Sequence, residues 1–140
     1  MLCLVPTPIG NLEDISQRSL RILVEAELIF CEDTRVTKKL LNLLGERNNL
    51  DFSNKEYKSF HSHNEDKILK SLDKETFTKN VVYVSDAGMP CVSDPGASLV
   101  DYCIKNDIPY DVLPGANAIL TAYAMSGFSA TTFSFYGFLD

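Results

Sequence analysis

Two phosphate-gripping motifs are missing from this sequence of 140 residues: no G-x-G-x-x-G follows an apolar run, and there is no G-x-x-x-x-G-K-[ST]. Their absence argues against a dinucleotide or nucleoside triphosphate held by its phosphates and leaves room for a ligand without a polyphosphate. There is no C-x-x-C spacing either. Cys3, Cys31, Cys91 and Cys103 fall inside apolar stretches, so they read as reduced, buried thiols of a cytoplasmic protein rather than metal ligands or a secreted framework. Positive charge is scarce in the second half: residues 80 to 140 contain Lys105 alone against six acidic side chains, whereas residues 1 to 79 contain 12 basic and 13 acidic ones. With a net charge of −6, the chain has no basic stripe of the kind that displaces counterions from phosphates. DNA is therefore not an expected partner, and an RNA substrate would find most of its phosphate contacts elsewhere. Met1 runs into the apolar residues 2–5 without a positive leader or a long apolar segment, so no signal peptide is expected. Internal repeats and low-complexity tracts are absent.

What is present is the composition of one globular domain, 45% hydrophobic and 23% charged. A compact chain of this mass exposes roughly 7,000 Å². Residues 112–139 carry no charged side chain, a length that would admit a membrane span. Pro114, Gly115, Asn117, Gly127 and Gly137 break that stretch into a turn, a helix and a strand, so no membrane contact is expected. Its aromatic end, Phe133, Phe135, Tyr136 and Phe138, is instead expected to be covered by something.

Residues 2–5, 28–31, 57–60, 81–84, 110–113 and 133–136 read as strands, with unbroken apolar runs at 2–5, 28–31 and 81–84. Between them lie helical patterns. Asp14 three residues before Gln17 resembles a capping box for a helix with Leu20, Leu23 and Val24 inward. Val36, Leu40, Leu43 and Leu44 mark the buried face of a second helix that Gly45 is placed to end. Ile68, Leu69 and Leu72 mark a third helix, begun near Asn64 or Glu65. Leu99, Val100, Cys103 and Ile104, after the start pair Asp94–Pro95, mark a fourth, and an Ala-rich helix is expected over 117–126. This alternation predicts an α/β domain: a mostly parallel sheet of about five strands with helices on both faces.

Ligand crevices of open α/β sheets lie beyond the carboxyl ends of the strands. The segments in those positions are unusual: Pro6-Thr7-Pro8-Ile9-Gly10-Asn11, Glu32-Asp33-Thr34-Arg35, Ser85-Asp86-Ala87-Gly88-Met89-Pro90 running on to Ser93-Asp94-Pro95-Gly96, and Pro114-Gly115-Ala116-Asn117. Gly and Pro at this density let backbone approach a ligand closely. Glu32, Asp33 and Arg35 form either an ion-pair network that fixes a loop or a group in which Arg35 meets phosphate while a carboxylate assists a hydroxyl. Asp94 reads first as a helix cap. His61 and His63, the two histidines, would point the same way on an extended segment, but no third ligand has matching spacing and no metal is expected.

These five segments, with the run His61-Ser62-His63-Asn64-Glu65, resemble in order and spacing the family of small-subunit ribosomal RNA methyltransferases within the tetrapyrrole methylase superfamily. The likeness covers the whole chain. It implies S-adenosylmethionine as cofactor, the 2′-oxygen of a cytidine in 16S ribosomal RNA or the small ribosomal subunit as methyl acceptor, and a homodimer at full length. It also implies that residues 1–140 are the amino-terminal domain of a two-domain enzyme, with the cofactor held in the cleft between the two and the isolated domain inactive. Under that resemblance Pro8, Gly10, Ser85, Asp86, Ala87, Gly88, Met89, Pro114, Gly115, Ala116, Asn117 and Ala118 line the cofactor pocket. Asp86 would meet a polar part of the cofactor, unless it only caps its loop. Glu32, Asp33, Arg35, His61 and His63 are the candidates for chemistry, with imidazole suited to substrate contact or proton transfer. The sequence departs from the family at Asn117, where a Ser or Cys is usual nearby, and at Met89, often a Thr. Two other readings remain: a methylase of a tetrapyrrole ring, and a non-catalytic ligand-binding or interaction domain.

Overall fold

The computed structural model describes residues 1–138; Leu139 and Asp140, the end of the uncharged stretch, lie outside the described residues. Five strands alternate with five α-helices: β1 Leu2–Leu4, α1 Gln17–Glu25, β2 Leu28–Cys31, α2 Thr34–Asn48, β3 Glu56–Ser59, α3 Glu65–Ser71, β4 Val81–Val84, α4 Gly96–Lys105, β5 Tyr110–Val112 and α5 Ala118–Met125. All strand pairs are parallel and the order is β3-β2-β4-β1-β5. The predicted fold class is the observed one.

Period-two alternation divides the sheet's side chains between two cores. Cys3, Val5, Ile29, Cys31, Val82 and Val84 pack with Leu20 and Leu23 of α1 and Leu41 and Leu44 of α2. On the opposite face Leu2, Leu4, Leu28, Phe30, Val81 and Tyr83 pack with Phe60, Phe77 and, from α4, Leu99 and Cys103. β2 and β4 are buried along their whole length, which is why they read as unbroken apolar runs.

Several local expectations are corrected. Ser16, not Asp14, caps α1, its side chain accepting from the Ser19 N–H at 2.9 Å, while Asp14 ends a short 3₁₀ turn at Leu12–Asp14. Gly45 does not end α2. The helix continues to Asn48 and closes on Asn49 in the left-handed conformation (φ 54°), a role the short polar side chain of Asn tolerates. Gly45 is small for another reason, since a Cβ there would lie 2.7 Å from the Leu50 carbonyl oxygen. The inward face of α2 carries Thr37, Leu41 and Leu44, leaving Val36 and Leu43 exposed, and Ile104 of α4 is exposed too. Residues 133–136 form no strand. Among the described residues this segment has no sheet partner, and Phe133 stacks on Tyr123 of α5 with ring centroids 5.5 Å apart.

Exposed surface totals 8660 Å², well above the roughly 7,000 Å² of a compact chain this size. The excess lies at the carboxyl end, where Leu120, Met125, Phe128, Tyr136 and Phe138 are all more than half exposed. No helix among the described residues is long and apolar enough to cross a membrane.

Candidate active site

The loops singled out by composition converge at the carboxyl edge of the sheet. β1 and β4 are neighbours, and the segments leaving them are tied by a two-residue bridge in which the Thr7 and Gly88 amides donate to each other's carbonyls at 3.1 and 3.0 Å. The buried Ser85 hydroxyl braces the same turn, sitting within hydrogen-bond distance of the Ala87 and Gly88 carbonyls. Gly88 is left-handed (φ 82°), and a Cβ on it would come within 3.0 Å of the Ile9 side chain. Across the opening stands the loop 114–117, whose Gly115 lies against Pro6.

Two cavities open between these loops. One, of about 220 Å³, is lined by Ile9, Ala87, Gly88, Met89, Asn117 and Ala118 and is crossed by Phe135, Gly137 and Phe138. The other, about 630 Å³ and more open, lies against Gly115, Ala116 and Asn117 with Ile9, Asp14 and Leu120. Of the residues expected around a cofactor, Ala87, Gly88, Met89, Gly115, Ala116, Asn117 and Ala118 are brought together here. Pro8, Gly10 and Pro114 line neither cavity. Val92 and Ile119, which no motif marks, also line the first cavity, as do Ile9 and Ser93, each carried by one of the Pro/Gly-rich segments. Asn117, the departure from the family pattern, is occupied in capping α5: its Oδ1 accepts from the Ile119 and Leu120 amides at 2.9 and 3.1 Å.

The carboxylates after β2 divide into separate roles. Asp33 caps α2 and holds Arg35 through both carboxylate oxygens, at 3.1 Å from Nε and 2.8 Å from Nη2. Hydrogen bonds from Arg35 lower the Asp33 carboxyl to about 2. The Arg35 side chain is 89% exposed, so this pair is a surface contact and not a buried network. Glu32 instead turns toward β4. Its Oε1 accepts the Asp86 N–H at 3.0 Å, and Asp86 Oδ1 accepts the Asp33 N–H at 3.2 Å, stitching the two loops together. Asp86 is exposed, at the rim.

Burial raises the Glu32 carboxyl above the ordinary range, helped by the negative charges of Asp86 and Asp94 and opposed by the Asp86 amide and by His61. A folded-state value above the unfolded one contributes stability only below the unfolded value, and that contribution is lost as pH rises through the folded one. Ionised Glu32 therefore works against the fold near neutrality. Glu32→Gln is expected to gain about 0.5–1 kcal/mol at pH 7, kept small by partial exposure, and nothing at pH 4. Urea denaturation at both values measures this, and a loss at pH 7 would contradict the assignment.

The histidines do not lie on an extended segment. Residues 61–64 form a turn in which the His61 amide donates to Asn64 Oδ1 at 2.8 Å and the His63 amide donates to His61 Nδ1 at 3.2 Å. His61 is half-buried and faces Glu32's side of the sheet edge, whereas His63 is exposed. Among the described residues, no group of three or more His, Cys, Asp or Glu is placed to hold a metal ion.

A parallel sheet ordered 3-2-4-1-5, with Gly- and Pro-rich loops meeting beyond the carboxyl ends of β1 and β4, defines an open α/β domain with its ligand crevice at that edge. Residues 1–139 match the family model of Tetrapyrrole (Corrin/Porphyrin) Methylases, and the chain belongs to that family. It is similar to proteins of one branch. It is 54% identical over 140 residues to "Ribosomal RNA small subunit methyltransferase I" of Campylobacter fetus subsp. fetus, covering 99% of this chain and 52% of that protein. The proteins of the same name from Helicobacter pylori (strain J99) and Thermotoga maritima are 47% and 46% identical over 99% of the chain, which covers 50% and 60% of them. The chain thus spans about half the length of the curated relatives it matches. Among solved structures, the native uroporphyrin III C-methyl transferase of Thermus thermophilus superposes with a TM-score of 0.60 at 19% identity, covering 87% of this chain and 51% of that one. The same enzyme complexed with S-adenyl homocysteine gives 0.59 at 20% identity. Both show the shared fold.

Proposed function

We propose that this chain forms one wall of a cytoplasmic, homodimeric methyltransferase that uses S-adenosylmethionine to methylate the ribose 2′-oxygen of a cytidine in small-subunit ribosomal RNA, a second domain supplying the other wall. The observation that carries this reading is the cavity lined by Ala87, Gly88, Met89 and Asn117 between two loops, in a chain about half the length of relatives named as small-subunit ribosomal RNA methyltransferases. Ala87, Gly88 and Ala118 in that lining suit a cofactor held largely through backbone amides and carbonyls.

The cofactor, when bound, supplies a sulfonium methyl group open to attack by oxygen. This chain's task is then to position the ribose hydroxyl and remove its proton. Glu32 suits the second role: it is half-buried, its carboxyl is raised by burial, and its ionised form is a stronger base than an exposed glutamate. His61 stands on the same side and can orient the hydroxyl. The exposed Arg35, fixed by Asp33, is placed to meet a phosphate of the RNA.

Titration calorimetry of S-adenosylhomocysteine against this chain and against the full-length Campylobacter relative tests the reading. Binding by the relative, with the chain weaker by at least about 100-fold, is expected from the loss of half the contacts. Equal affinity would overturn the divided pocket. No binding by either would leave a non-catalytic interaction domain as the better description.

A further inference from the structure

Val92 and Ser93 face the 220 Å³ loop cavity from the segment between β4 and α4, and Ser93 also lines a third cavity, of about 420 Å³, together with His61 and Glu65. The backbone that presents them is unusual. Cys91 and Ser93 are both left-handed (φ 67° and 63°), a conformation that residues with a Cβ adopt at an energetic cost and keep only where their surroundings enforce it. No glycine between Met89 and Pro95 relieves the turn.

One oxygen holds it. Asp94 Oδ1 accepts from the Cys91 amide at 3.0 Å, the Gly96 amide at 2.7 Å and the Tyr83 hydroxyl at 3.0 Å, so it ties the start of the turn to its end and both to the sheet. Tyr83 is a firm anchor: it is fully buried in β4, and its ring lies so close to Gly96 that a Cβ there would stand 2.6 Å from Cε1. Burial, and then the charge of Asp94, raise the Tyr83 hydroxyl above its usual range, so it stays protonated and donates near neutrality.

This is not the arrangement of an ordinary helix cap. A capping side chain reaches the second or third amide of its helix, whereas in α4 the Ser98 amide is taken by the Pro95 carbonyl at 3.0 Å and Asp94 reaches back to Cys91. The other oxygen, Oδ2, is buried and has no partner among the described residues. An unsatisfied buried oxygen works against stability, so the contribution of Asp94 lies in the shape it imposes on the turn.

We infer that Asp94, anchored by Tyr83, is the positioning residue for the Val92–Ser93 wall of the cofactor cavity, acting through that wall rather than by contact with the cofactor. The inference rests on the methyl-transfer reading for the identity of the ligand.

NMR of the ¹⁵N,¹³C-labelled chain titrated with millimolar S-adenosylhomocysteine tests it on Asp94→Ala, Asp94→Asn and Tyr83→Phe, with urea unfolding of each. The wild-type chain should respond at Gly88, Met89 and Val92. D94A should lose the left-handed Cα shifts of Cys91 and Ser93 and bind at least about tenfold more weakly, because a wall that must be ordered on binding gives back affinity. D94N keeps an oxygen for the same donors and should restore both. Y83F keeps the ring, removes one donor and should fall between them; if D94A fails to fold, Y83F decides, and wild-type affinity there overturns the proposal. A loss of stability in D94A without a loss of affinity would leave Asp94 a brace of the fold and overturn it too, as would unchanged Cα shifts or a D94N that restores nothing. In each of those cases a wild-type response at Gly88 and Met89 leaves the methyl-transfer reading standing. Wild-type silence toward S-adenosylhomocysteine would defeat that reading and, with it, the role assigned to the wall.

Discussion

Phe60→Ala is expected to destabilise the domain by about 3–5 kcal/mol, the largest effect of any single substitution considered. Phe60 follows β3, is fully buried, and presents edge-on contacts to Phe30 at 6.0 Å and Tyr83 at 6.1 Å between ring centroids. Truncation would remove both aromatic contacts and leave a void under rings that β2 and β4 hold in place. Its amide also donates to the Cys31 carbonyl at 2.8 Å, at the point where the chain turns into His61. A domain of this size has a total stability of about 5–15 kcal/mol, so the variant should sit near its unfolding threshold. Equilibrium urea unfolding with an unchanged m-value would measure the loss. A value under about 1 kcal/mol would mean that the core closes over the void and that the aromatic trio is not a structural unit.

Gly115→Ala should act on the cofactor side. The added Cβ would stand 2.5 Å from Pro6 Cβ and 2.8 Å from its Cγ, distances that real side chains do not reach, and the buried proline ring cannot rotate away. The loop 114–117 must therefore move, taking with it Asn117, which both caps α5 and lines the two loop cavities. A stability loss of about 1–3 kcal/mol is expected, with amide shifts concentrated at residues 5–9 and 114–120 and α3 unaffected. Amide NMR and urea unfolding of the same sample decide it. A wild-type spectrum would show that the loops are not in firm contact.

β1, β2 and β4 were legible because each is a short apolar run, the trace left by a parallel strand covered on both faces, whereas the edge strands β3 and β5 carry charged and exposed residues and leave a weaker one. Phe133–Phe135–Tyr136 carries the same trace without the structure. Apolar patterning reports that a segment seeks cover, and only pairing partners decide whether the cover is a sheet. In α2 the apolar pattern suggested a face through Val36 and Leu43, but the helix is turned so that Thr37 is inward. A buried threonine has little weight in a hydrophobic pattern, so that rotation was hidden. The candidate site was legible as a set of loops and less so as individual contacts. That Glu32 reaches Asp86, and that Asp33 is spent on Arg35 and the start of α2, depends on pairings across 54 residues and 2 residues that spacing cannot distinguish. Ser93 and Glu65 were within named motifs, yet nothing in their neighbours foretold that they would line a common cavity.

The strand order has a consequence for how the chain acquires its structure. β1 precedes every other strand of the sheet, yet both of its neighbours come late: Leu2 pairs with Val81 of β4 on one side and Tyr110 of β5 on the other. During synthesis this strand stays unpaired, its apolar side chains shielded only by whatever α1 and α2 offer, until residues 81–84, about three-fifths of the way along these 140 residues, have emerged. Contacts of such sequence separation slow folding and lengthen exposure to aggregation, so the vectorial assembly of this domain should hinge on the arrival of residues 81–84 rather than on the order in which its helices form.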